Sequence, residues 1–217
     1  MDLGCGPGEV AELLVGRGAR VVGVDLNEEL LAAARARELP GAEFIAADLR
    51  EPFRLPAAVN GLWASFLAAY FVDLAPAVER WAVHLRPGSW IALTEIDDLF
   101  GHAPLEPRTR ELLDCYAEEA FELGRYDFRM GRKLPAHLEV VGFRVTRELE
   151  LEDRELAFRG PAPPDVLAAW RRRLDRMTLL HDFCGPEMLR VRDDLLACLA
   201  SPEHGCIARV RCCVAVR

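Results

Sequence analysis

The chain has 217 residues, about half of them apolar, with 27 basic and 35 acidic side chains. That is enough material for one α/β domain with added helices and not for several independent cores. No 18-residue apolar stretch free of charge and no charged-then-apolar leader occurs, so neither a membrane span nor a signal peptide is expected; the acidic balance argues against nucleic acid, whose binding relies on neutralising phosphates with Lys and Arg.

The first element is a glycine-spaced turn, Asp2-Leu3-Gly4-Cys5-Gly6-Pro7-Gly8. Glycines at alternate positions reach positive φ cheaply and let a ligand approach bare backbone. Only Met1 precedes Asp2, so the first strand is expected to start upstream or to be reduced to Met1-Asp2-Leu3. Val10, Leu13 and Leu14 fall at i, i+3, i+4 and predict a helix closed by Gly16 and Gly18. Arg20 to Val24 reads as a buried strand ending at Asp25, where a carboxylate either accepts both hydroxyls of a ribose or is simply solvated.

Spacing narrows the ligand. A dinucleotide fingerprint needs glycine at position 9, where Glu9 would repel a pyrophosphate at a helix N-terminus. No Gly-Lys-Ser/Thr follows, which excludes a P-loop. An adenosyl group without phosphates remains. Cys5 reads as a small residue tolerated in the turn, because nothing nearby would lower its pKa.

The alternation of helices and strands continues along the chain. A helix is predicted around Asn27 to Glu38, then a third strand from Glu43 to Ala47, closed by Asp48, a carboxylate that either serves a ligand or is simply solvated. The fourth strand is expected at Gly61 to Phe66, a helix at Ala75 to His84, and the fifth strand at Trp90 to Glu95. After Asp98 the pattern changes. Pro104 and Pro107 open a helical stretch through Leu112, Leu113, Tyr116, Ala120 and Leu123, and Gly131 to Val141 leads into a sixth strand from Phe143. Helices near Asp165 to Met177 and Pro186 to Ala200 precede the last strand, Ile207 to Val216. Residues 1–98 thus read as a cofactor-binding half, 99–130 and 154–205 as helical insertions, and 143–153 and 207–216 as the last two strands. The insertions are expected to wall a substrate pocket over the carboxyl ends of the strands.

An acid-x-Gly-x-Gly-x-Gly turn, an acid closing the second strand and another closing the third resemble the class I S-adenosylmethionine-dependent methyltransferases, over Asp2 to about Asp98. The resemblance implies a Rossmann-like doubly wound sheet, mostly parallel with an antiparallel last strand, and S-adenosyl-L-methionine as cofactor. It places the methionine end beside Asp2, Gly4, Cys5 and Gly6, the ribose on Asp25 with Leu26 next to the adenine, and the adenine amino group on Asp48, followed by Leu49. It matches Ser65-Phe66 to the segment under the methionine and Leu85-Arg86-Pro87-Gly88 to the turn before the fifth strand.

The implied reaction is in-line displacement at a sulfonium methyl by O, N or C of a small organic acceptor, where alignment in a dry pocket does much of the work. A general base is needed only if the acceptor carries its proton. His102 and His181, in or beside the insertions, are the candidates, each with the plain alternative of a surface histidine; Asp97 is a candidate to orient an imidazole. Tyr70, Tyr116 and Tyr126 either line an aromatic pocket or, for Tyr116, pack a helix. Ser65-Phe66-Leu67-Ala68 lacks the Asn/Asp-Pro-Pro-aromatic turn of enzymes that methylate exocyclic base amines. No metal spacing is seen. Arg171-Arg172-Arg173 reads as a solvated face, and the seven cysteines as buried thiols of a cytoplasmic protein. The competing readings are a degenerate protein that binds S-adenosylmethionine without turnover and, disfavoured by Glu9, a nicotinamide dehydrogenase.

Overall fold

In the computed structural model, which describes residues 1–217, the order is β1 (Asp2–Leu3), α1 (Glu9–Gly16), β2 (Val21–Asp25), α2 (Glu28–Arg35), β3 (Ala42–Ala46), β4 (Val59–Ser65), α3 (Ala75–Ala82) and β5 (Leu85–Asp97). There follow β6 (His102–Ala103), α4 (Pro107–Glu122), α5 (Leu134–Val140), β7 (Arg144–Leu151), α6 (Pro164–Arg176), α7 (Thr178–Cys184), α8 (Met188–Ala200), β8 (Gly205–Cys206) and β9 (Arg209–Val216). Seven strands form one sheet in the order β3-β2-β1-β4-β5-β9-β7. The five strands from β3 to β5 pair in parallel, and the sheet carries an antiparallel strand. The chain winds outward from β1 to β3, then returns to β4, so β1 and β4 flank the switch point where an open α/β sheet leaves a crevice at its carboxyl ends.

The residues divide into two compact units. The first holds Met1–Glu95, Lys133–Leu149 and Cys212–Arg217. Its interior is built from strand residues that read as continuous apolar runs, because a parallel sheet is covered on both faces: Leu3, Val24, Leu62, Ile91 and Leu93 are buried, as are Trp81, Leu134 and Leu138 from the helices. The second holds Ile96–Arg132 and Glu150–Arg211. It is mainly helical around Trp170, Leu113, Leu174, Leu180, Val191, Leu195 and Leu199. The segments expected as two separate insertions therefore share one core.

The helix predicted from Val10, Leu13 and Leu14 is present as α1, and three details add to the sequence reading. The stripe Val10, Leu13, Leu14 is not the buried face of α1: Leu13 is exposed and Ala11 is buried, because a methyl side chain lets the helix lie close to the sheet. The connection between α6 and α8 holds α7, whose buried positions, Leu180 and Cys184, lie one turn apart and give too short a signal to detect. The two-residue pair β6 and β8 is antiparallel, His102 opposite Cys206, and lacks any periodicity to read.

Candidate cofactor site

The glycine turn is fastened to the end of β2 by its own amides. Gly4 and Cys5 both donate to Val24 O at 2.8 and 3.1 Å, and Gly6 donates to Asp25 Oδ2 at 2.8 Å. Gly4, Gly6 and Gly8 take φ values of 65, 49 and 80°, the left-handed region open to glycine. A Cβ on Gly4 would approach Leu67 Cδ1 to 3.1 Å, whereas one on Gly6 would meet nothing within 4 Å. Gly6 thus presents bare backbone to open space. Arg37, just past the end of α2, donates to Pro7 O and holds the far side of the turn.

Asp25 has a second duty at the start of α2. Its Oδ1 accepts from Asn27 N at 2.9 Å, and Asn27 caps α2 by accepting from Glu29 N and Leu30 N. Each Asp25 oxygen accepts one hydrogen bond from the chain, and a carboxylate oxygen has room for another. Leu26, next along, is largely exposed.

Asp2 is buried, and its Oδ2 has no hydrogen-bond partner. Burial pushes its carboxyl up to about 7, against the Met1 ammonium; the charge of Asp25 adds to the rise and the Ala11 amide opposes it. Cys5 is buried beside these two carboxylates, and burial raises its thiol to about 12. A thiol so raised carries little thiolate at neutral pH.

The other expected residues follow from the neighbouring loops. Leu67 packs beneath Gly4, which brings the segment Ser65 to Leu67 against the turn. Ser65 Oγ accepts from Trp63 Nε1 at 2.8 Å. Phe66 is a non-glycine residue at φ 53°, pinned there by its N–H on Thr94 O and partly exposed. Such backbone strain is characteristic of ligand sites. Glu95, fully buried, accepts from Ala69 N at 3.1 Å and orders the turn that follows. Leu49 is buried with its carbonyl on Trp81 Nε1. Asp48 is paired bidentately with Arg50, which holds its carboxyl below the usual range.

The donor set fits an adenosyl ligand on this structure's own terms. Bare backbone at Gly6, a carboxylate with free acceptor capacity at Asp25 and an orphaned buried oxygen on Asp2 adjoin one turn. Sequence reasoning missed Asn27, Arg37, Arg50 and Glu95 as supports. Only Asn27 carried a local signal, as a cap ahead of Glu28; Arg37 and Glu95 act across 30 and 26 residues of chain.

The candidate bases lie in the second unit. His102 is fully buried, ring-stacked with His204 and edge-on to Trp170. His204 Nδ1 lies 2.9 Å from Gly160 O, which only accepts, so Nδ1 carries the proton; His204 Nε2 then accepts from His102 Nδ1 at 3.0 Å. That leaves His102 Nε2 as a buried acceptor without a partner. Burial, then His204, Arg110 and Arg173, lower the His102 imidazole to about 3. His181 Nε2 lies 3.0 Å from Leu174 O, a helix contact. Asp97 is held by Arg132 and Arg211 rather than by an imidazole. Tyr116 packs in the core against Phe100, Phe128 and Phe183, and Tyr126 on Phe128, whereas Tyr70 is exposed.

The chain is similar to known proteins in sequence and in fold. Residues 1–93 match the family model for a methyltransferase domain. The chain is 42% identical over 95 residues to a trans-aconitate 2-methyltransferase of Azoarcus sp. (strain BH72), covering 43% of this chain and 37% of that protein. It is 32% identical over 196 residues to a nocamycin O-methyltransferase of Saccharothrix syringae, covering 78% of this chain and 66% of that one. The chain spans less than half the length of the trans-aconitate relatives that head the matches, 37 to 44%. In fold it resembles a phosphoethanolamine N-methyltransferase 2 of Haemonchus contortus solved with S-adenosyl-L-methionine, at a TM-score of 0.61 and 20% identity, covering all of this chain and 47% of that one.

Proposed function

The chain belongs to the class I S-adenosylmethionine-dependent methyltransferase family, and from that premise we propose that it transfers a methyl group to O, N or C of a small organic acceptor. The observation that carries the reading is the joint made by Gly6 and Asp25, which sets bare backbone beside a carboxylate that still has acceptor capacity. When bound, S-adenosylmethionine supplies an electrophilic methyl on a sulfonium.

The residues of the chain do the holding. In this reading Asp25 takes the ribose hydroxyls on its remaining lone pairs and Leu26 lies along the adenine. Gly4, Cys5 and Gly6 offer main-chain contacts to the methionine portion, with Ser65 and Phe66 on its other side. Asp2, ionised beside the ligand's cationic end, adds attraction. Asp48 serves the adenine amino group while keeping Arg50 as its partner, and Leu49 fixes that loop. No group of the chain is assigned as general base. Seven free thiols suit a reducing compartment, so the cytoplasm is the proposed location; no helix is long and apolar enough to cross a membrane.

The test is methyl transfer from labelled S-adenosylmethionine to a panel of small acceptors. Trans-aconitate, named in the relatives, heads the panel. Label in any acceptor, lost in Asp25→Ala, supports the proposal. Cofactor binding with no transfer across the panel favours the non-catalytic binding protein instead.

A further inference from the structure

The helical unit holds a cleft of about 540 Å³ beside the short antiparallel pair of β6 and β8. The pair contributes small residues to the lining: Ala103 stands opposite Gly205, and a Cβ on Gly205 would meet nothing within 4 Å. Gly205 thus leaves room where a side chain would stand. Three arginines, Arg110, Arg129 and Arg159, share the lining with Asp98 and Asp114.

The charges in this lining do not cancel. Arg110 is spent within the unit: its Nη1 donates to Phe100 O at 2.8 Å and lies 3.6 Å from Asp114 Oδ1, and its Nη2 donates to His102 O. Asp98 lies 4.0 Å from Arg132, and His102 is kept neutral by burial. The guanidinium groups of Arg129 and Arg159 are left without a carboxylate or carbonyl partner, whereas Arg108, Arg154, Arg173 and Arg190 of the same unit each find a carboxylate. Their main chains are nonetheless fixed. The Arg129 amide donates to Asp127 Oδ1 at 2.9 Å, between the buried Phe128 and Met130, and Arg159 precedes Gly160, whose N–H donates to His204 O at 2.9 Å. Two uncompensated cations on fixed main chain in one concave surface focus a positive field that draws in anions.

We propose that this cleft binds a small organic polyanion, held through its carboxylate or phosphate oxygens by the guanidinium groups of Arg129 and Arg159. A guanidinium fork matches either group with two parallel N–H donors. The volume falls in the range of small-molecule sites, about 300–1,000 Å³, which is room for a carbon frame that carries two anionic groups. Arg110, bonded to the carbonyls of Phe100 and His102, ties α4 to β6 and gives the site its shape. The space over Gly205 takes part of the frame. The inference stands on the helical unit alone, whether or not the chain transfers methyl groups.

The test is calorimetric titration of the full chain at low ionic strength with citrate and with fructose 1,6-bisphosphate, one source of each anionic group, and with trimethyl citrate as the uncharged counterpart. One or both polyanions bind and the ester does not; which of the two binds tells carboxylate from phosphate. Arg129→Gln and Arg159→Gln each weaken binding by about tenfold or more and leave the thermal midpoint unchanged, since neither side chain has a partner to lose. Arg172→Gln, at an exposed arginine of α6 outside the cleft, leaves binding as it was. Gly205→Leu, which fills the space and removes no charge, weakens it. No heat with either polyanion overturns the proposal, as does an unchanged dissociation constant in Arg129→Gln or in Arg159→Gln, or equal binding of the ester.

Discussion

The Gly6 amide donates to Asp25 Oδ2 at 2.8 Å across 19 residues of chain, so the carboxylate that closes β2 also sets the shape of the turn that follows β1. One side chain is both part of the binding surface and a brace for it.

Replacing Asp25 by Ala should therefore act twice. It leaves the Gly6 and Asn27 amides without their acceptor, a loss of about 1–3 kcal/mol in stability, and lowers adenosyl affinity by more than about tenfold. Asp25→Asn, which keeps one oxygen acceptor, should recover part of the stability and little of the affinity. Thermal midpoints and calorimetric titration of both variants check the split; equal losses in both quantities would contradict it.

Asp2 gives a pH signature. Its carboxyl is raised to about 7 in the fold by burial, so between roughly pH 4 and 7 the folded chain holds a proton that the unfolded chain has released. Its contribution is fully present below about pH 4 and is lost as pH rises to about 7. Asp2→Asn should stabilise the chain more at pH 8 than at pH 5, as seen in thermal midpoints at the two values. Binding of a cationic ligand has the opposite sense: affinity for S-adenosylmethionine should fall as pH drops below about 7, where a proton competes for Asp2.

His102 titrates in the other direction. Its imidazole is lowered to about 3 by burial and by neighbouring cationic groups, so the folded chain keeps it neutral where the unfolded chain charges it. The stability it contributes is complete above about pH 6.5 and is lost as pH falls toward about 3. Its ring proton shifts should stay flat from pH 8 to pH 5 in an NMR titration, and a midpoint between 6 and 7 would show that the ring is not enclosed.

Cysteine reactivity should follow burial. Cys115 is exposed and the other six thiols are buried, with Cys5 and Cys213 raised to about 12. A disulfide reagent should titrate one thiol of seven in the folded chain and all seven after unfolding. Fast reaction of a second thiol would point to an opening of one unit.

How much of this was legible depended on how local each cause is. The turn at Gly4, Gly6 and Gly8 could be read because positive φ restricts the residue type at the position itself. The doubly wound sheet could be read because β2 and β5 are buried on both faces and leave apolar runs. α1 could be read as a helix but not for its buried residue, because the buried face of a helix against a sheet is fixed by distance of approach, and Ala11, not the larger Leu13, fits there. Asp48 was visible as an acid at a strand end, but its bidentate pairing with Arg50 depends on side-chain geometry. His102 looked like a loop histidine because its enclosure by His204 and Trp170 joins residues far apart in sequence. That is also why the cofactor half was more readable than the catalytic one: its determinants are single positions in short motifs, whereas enclosure is a property of the assembled core.

The central claim is that the turn from Asp2 to Gly8 and the carboxylate of Asp25 together hold an adenosyl ligand. Calorimetric titration with S-adenosylhomocysteine, alongside NAD, tests it most directly. The account predicts one adenosyl ligand per chain, no competing NAD binding, and loss of the heat in Asp25→Ala. No heat with the adenosyl ligand, or an unchanged dissociation constant in Asp25→Ala, would contradict it.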